Sequence, residues 1–157
     1  MMKSMKQFLK EERGNILIVA PFLIAVLLAF GALGLDAASA FILKHQIQAA
    51  ADAASLAGAS ATIAPFARNE FGEIIPDVID LQIDPETANI EAMYVLNQNI
   101  ASNKLEEKGV TILEKKGEIL DPKHYKVTIK AKIKTPLGFG TGKEAYKTVV
   151  AVAKVKE

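Results

Sequence analysis

The sequence has no cysteine, which excludes disulfides and thiolate metal sites without fixing a compartment. It has no excess of charge. Its 19 Lys and Arg stand against 18 Asp and Glu, a formal net of +1, so nothing in the balance points to nucleic acid as a partner. Its two histidines, His45 and His124, stand in no HExxH or other metal-ligand spacing, and no GxSxG elbow or Asx-rich calcium loop occurs. Glycines 138, 140 and 142 invite comparison with a phosphate loop. That pattern needs glycine where Leu137 stands and Ser or Thr where Glu144 stands, so a hairpin loop is the better assignment. No catalytic residue, cofactor, metal or small-molecule substrate is therefore expected.

Charge is also missing from 14–35, GNILIVAPFLIAVLLAFGALGL. As a helix these 22 residues span about 33 Å, enough for a hydrocarbon core of about 30 Å. The run exceeds the core of a secretory signal, and no equally large apolar partner exists elsewhere to bury it. Lys3, Lys6, Lys10 and Arg13 precede it, and the next base is Lys44. The N-terminus is therefore expected in the cytoplasm and everything after Asp36 outside. Asp36 itself is expected at the outer boundary, hydrated. Pro21 removes one backbone donor, which membrane helices tolerate. Gly31 and Gly34 make a small-residue patch without the GxxxG spacing.

Breakers are absent again from 35 to 64, so the helix is expected to continue and stop before Pro65, adding a stem of about 42 Å. Ile47, Ala50, Ala51, Ala54, Ala57, Gly58 and Ala61 share one face at helical spacing. A seam of methyl-sized side chains lets another backbone come close, either the chain's own head or a neighbouring helix. The segment 65–83 carries prolines and Gly72 and is expected as a connector, with a short strand near 78–83.

A second helix follows, with Asp84 as N-cap, Pro85 at its first position and Lys108 and Gly109 at its stop. Ile90, Met93, Tyr94, Ala101 and Leu105 form its expected core stripe, with Leu96 and Ile100 alongside. A short strand is expected at 110–113. The mixed acids and lysines of 106–121 are expected as solvated turns, and Asp121 with Pro122 as a turn. Tyr125, Val127, Ile129, Ala131 and Ile133 alternate with polar residues, the signal of a half-buried strand with a lysine row outside. That row either faces solvent or attracts anionic lipid or polymer. Strand 146–155 is apolar on both faces, which suits a central or well-covered place. Leu137 and Phe139, at the tip of the loop before it, are free to touch the stem or lipid.

Arg13, Gly14 and Pro21, then Gly34, Leu35 and Asp36, then Gln48, Asp52 and Leu56 within QIQAAADAASLAGA form one ordered set. It resembles the N-terminal segment of the TadE/TadG-like Tad (Flp) pilus-assembly proteins. The resemblance covers about 13–59 and implies a bacterial, single-pass protein of the cytoplasmic membrane. Such a minor-pseudopilin-like protein acts structurally in pilus assembly or anchoring. Its implied partners are the lipid bilayer and other pilin-like or Tad-apparatus membrane proteins, met through helix packing. Processing would fall between Gly14 and Asn15. Val19 stands where processed members carry glutamate, so the chain is closer to TadG than to TadE. The von Willebrand-type domain of larger TadG proteins has a DxSxS metal site, and no DxSxS occurs here.

The expected fold is α+β and pilin-like: a long transmembrane-plus-stem helix, then a small head with one helix on an antiparallel sheet of about three to four strands. The segments are 1–13 basic and cytoplasmic, 14–35 transmembrane, 36–64 stem and 65–157 extracytoplasmic head. The rival expectation is a secreted binding module. Ala38-Ser39-Ala40 fits a signal-cleavage pattern and would leave a mature chain starting at Phe41. The mature mass separates the two. An anchored protein is expected at full length or starting at Asn15, and a mass starting at Phe41 would establish the secreted one.

Overall fold

The computed structural model describes residues 12–63, 66–68, 70–138 and 144–155. Helix α1 runs Glu12–Ser60, and its 49 residues span about 73 Å. Pro21 lies inside it without ending it. Up to residue 35 the described side chains are mostly exposed, with Leu27 at 71%. An 18-residue window of α1 has mean hydropathy 2.2 and is 6% buried, long and apolar enough to cross a membrane and unlike the covered core helix of a soluble domain.

From residue 36 onward one side of α1 is covered. Asp36, Leu43, Ile47, Ala50, Ala51, Ala54, Ser55, Gly58 and Ala59 are buried there, each three, four or seven residues from another. The helix stops at Ser60, short of residue 64, because the chain turns into a small sheet. Strand β1 (Thr62–Ile63) pairs with β4 (Gln82–Ile83), and the amide of Asp84 donates to the carbonyl of Ala61 at 2.8 Å. Between them β2 (Phe66–Arg68) and β3 (Ile74–Ile79) pair antiparallel, with Gly72 at φ +82° in the turn.

Helix α2 is Ala88–Ser102. Asp84 is not its N-cap. Asp84 instead closes the turn before it, accepting from the amide of Glu86 (3.1 Å) and the hydroxyl of Thr87 (2.5 Å). These bonds, the Thr87 one foremost, hold its carboxyl below the usual range. The buried face of α2 is Ala88, Ala92, Leu96 and Ile100, whereas Ile90 and Tyr94 of the expected stripe are exposed. Leu96, Ile100 and Leu105 are buried as expected and Met93 is half-buried; the covered face turns toward Ala88 and Ala92, which leaves Ile90, Tyr94 and Ala101 outside.

Strands β5 (Val110–Asp121), β6 (His124–Ile133) and β7 (Ala145–Lys154) form an antiparallel meander in the order β5-β6-β7. Two expectations change here. The charged segment 106–121 contributes most of a twelve-residue strand instead of solvated turns. Its acids and lysines find partners across the ladder, as in Glu114 with Lys130 (2.6 Å) and Glu118 with Lys126. Strand β7 lies at the edge, and the lysine-rich β6 is central. Val149 and Ala151 of β7 face the core, while Tyr146, Val150 and Val152 are exposed.

Within the lysine row, Lys126, Lys130 and Lys132 pair with Glu118, Glu114 and Glu144, while Lys134 at its end is exposed. Hydrogen bonds from Lys116 and Lys126 lower the Glu118 carboxyl from 4.5 to about 2.

The inner face of β6 lies on α1 and reaches α2 through Tyr125. The ring of Tyr125 rests on Gly58 of α1, and its hydroxyl donates to Asn89 of α2 at 3.0 Å, directly over Gly117 of β5. A Cβ at Gly58 would come within 2.4 Å of the ring. Gly58→Ala is therefore expected to destabilise the head by about 1–3 kcal/mol, the usual range for overpacking. Gly34→Ala, at a position open on all sides, is expected to leave head stability unchanged. Denaturant unfolding followed by circular dichroism checks both.

Candidate functional site

Among the described residues no group of three or more His, Asp or Glu is placed to hold a metal ion. His45 is exposed on α1, with its ring edge-on to Phe41 at 4.3 Å. His124 sits at the β5–β6 turn against Asp121, 2.8 Å away, and that hydrogen bond lowers the Asp121 carboxyl. A cleft of about 350 Å³ lies between the end of α2 and β5. Its polar groups already bond one another, Lys115 with Asn97 at 2.7 Å and Lys104 with Glu107 at 3.6 Å.

The residues that the sequence singles out are concentrated on α1, and the helix divides them into three environments. The seam is the first. Ile47, Ala50, Ala51 and Ala54 are at most 1% exposed and Gly58 is buried, while Ala57 and Ala61 are half-buried. The covering surface is the chain's own head. Of the two neighbours that the methyl-sized seam could accept, the head is the one in place.

The foot of the stem is the second. Asp36 is 2% exposed, which corrects the expectation of a hydrated carboxyl. The loop after β6 folds down over it, and the backbone N–H of Leu137 donates to its Oδ1 at 2.9 Å. A protein donor has taken the place of water. The stem is therefore no free rod: Tyr125 lies on Gly58 at one end and Leu137 on Asp36 at the other. Twenty-two helical residues cover about 33 Å, and the twelve steps from Tyr125 to Leu137 reach about 40 Å when extended, so strand and loop run nearly the whole stem. Phe139 and the rest of the loop to 143 lie outside the described residues.

The third environment is the rest of the helix surface. The Gln48 side chain donates to Asp52 Oδ1 (2.8 Å) and to the carbonyl of Val150 on the open edge of β7 (3.3 Å). That contact helps cover an edge which would otherwise offer its backbone to another strand. Leu35 and Leu56 are exposed, and Gly34 has open space about it. Gly14 and Asn15 lie in the first turns of α1. Asp36, Gln48 and Gly58 thus act as contacts between helix and head. Spacing alone could not reveal the first two, because their partners lie about a hundred residues away.

Asp36→Ala is expected to free the Leu137 amide and speed its hydrogen exchange in the detergent-solubilised protein. The loss corresponds to about 1–3 kcal/mol of local stability, and the exchange of core β6 amides should change far less. Exchange mass spectrometry or NMR reads both.

Residues 14–61 match the Tad family model, described as "Putative Flp pilus-assembly TadE/G-like". The match covers α1 and stops where the head begins. No curated protein matches the chain, and no solved structure does.

Proposed function

We propose that this chain is a single-pass structural component of Tad (Flp) pilus assembly or anchoring, and not an enzyme. In this reading 14–35 spans the cytoplasmic membrane, the basic segment 1–13 stays in the cytoplasm and the head stands outside. The observation that carries it is the Tad match over 14–61, laid on a helix that is exposed and apolar in its first half and built into a head in its second. Val19, standing where processed members carry glutamate, favours a TadG-like role over that of a processed pseudopilin.

A partner helix would need a face that the head leaves open. Leu28, Leu35, Ile42, Ala49 and Leu56 provide one, all exposed and each seven residues from the next. Seven residues are close to two helical turns, so the five form a stripe that runs unbroken from the span into the stem. We assign contact with other pilin-like or Tad-apparatus helices to this stripe, because the buried seam is already filled.

Ala49→Lys and Leu56→Lys are expected to preserve the head fold and membrane fractionation and to reduce surface pili several-fold. Ala54→Leu, inside the filled seam, is expected to destabilise the head by about 1–3 kcal/mol. Pilus counts by electron microscopy, paired with circular dichroism of each variant, test the assignment. Normal piliation in both lysine variants would refute it.

A further inference from the structure

The loop that covers Asp36 leads to a second membrane contact. Asp36 directly follows the last residue of the uncharged run. Helical side chains lean toward the N-terminus, so its carboxyl lies over the preceding turn, beside the end of that run. Leu137 is bonded there through its backbone, which leaves its side chain outside the latch and 51% exposed. Pro136 beside it is exposed, as are Leu35 on the helix and Lys134 where the loop begins. An apolar side chain and a lysine therefore occur together at the level where hydrocarbon gives way to headgroups. That is the pairing an interfacial contact uses.

We infer that the turn 134–138 is a lipid-contacting wedge, which sets Leu137 into the bilayer boundary beside the span and seats the head on the membrane surface. The occupant is the lipid bilayer, because this surface continues that of the span with no intervening segment. The inference rests on α1 being a membrane anchor. A single helix leaves its head free to rotate and tilt about one axis. A second contact, off that axis, removes part of this freedom and holds the outer stripe of α1 at a fixed angle to its neighbours.

The absence of cysteine makes the test direct. Single cysteines replace Leu137, Leu120 and Ile24 in the full-length protein, each labelled with an environment-sensitive fluorophore. The protein is reconstituted into phosphatidylethanolamine–phosphatidylglycerol vesicles. Leu137 bonds only through its backbone amide at the latch, and Leu120 is exposed at the head's far end, so neither change removes a core side chain. Ile24 lies within the span.

With Leu137→Cys, lipids spin-labelled near the headgroup should quench several-fold more than with Leu120→Cys, and aqueous iodide should quench several-fold less. With Ile24→Cys, deep-labelled lipid should quench strongly. If the label at 137 behaves like that at 120 while the label at 24 is quenched from within the bilayer, the wedge is refuted and the anchor stands. If the label at 24 also escapes lipid quenching, the anchored reading fails, and the wedge with it.

Discussion

The ring of Tyr125 packs against the backbone of α1 at Gly58, and that approach sets the spacing of the whole head. A sheet can come so near a helix only where the helix has almost no side chains. Residues 50, 51, 54 and 58 supply that bare strip. Once β6 is seated on it, the Tyr125 hydroxyl reaches Asn89 and places the start of α2, while Gly117 yields the room that the hydroxyl occupies. Alanines 88 and 92 then let α2 lie close against the same strip. Larger residues at any of these positions would thicken one layer, and the contacts of the other two would not close.

That strip was legible in the sequence because it combines helical spacing with a side-chain size that serves no other purpose in a span or on a wet surface. The same logic applied to α2 would have chosen Ala88 and Ala92. Weight given to large residues picked out Ile90 and Tyr94 instead, which the structure leaves exposed. Bulk located Leu96, Ile100 and Leu105 correctly, and only the alanines at 88 and 92 decide that Ile90 and Tyr94 stay outside.

Lateral order within the sheet was less legible, for a different reason. Alternation reports which face of a strand is buried and is silent about its neighbours. β6 alternates cleanly and was legible as half-buried, but its central place comes from two hairpins and from glutamates on either side that satisfy its lysines. β7 is apolar on both faces and still lies at the edge, where Gln48 helps shield its backbone. Asp36 shows the limit most plainly. Its position after the apolar run was readable, but its burial depends on a loop 101 residues away.

Helix α1 therefore follows three rules along one continuous rod. From residue 19 to 35 its surface is apolar and mostly exposed, as lipid requires. After that, one face shrinks to methyl groups to admit the head, while another keeps Ile42, Ala49 and Leu56 exposed at seven-residue intervals. No break separates these regions: α1 stays helical through residue 36, and its proline, Pro21, lies within the first of them. The latch at Asp36 extends this continuity to the head, whose covered face begins at the first residue after the uncharged run. A head joined by a flexible linker would average over orientations, and partners would have to restrict it at an entropic cost when they dock. Here that restriction is built in during folding, so the angle between span and head is already set before any partner arrives.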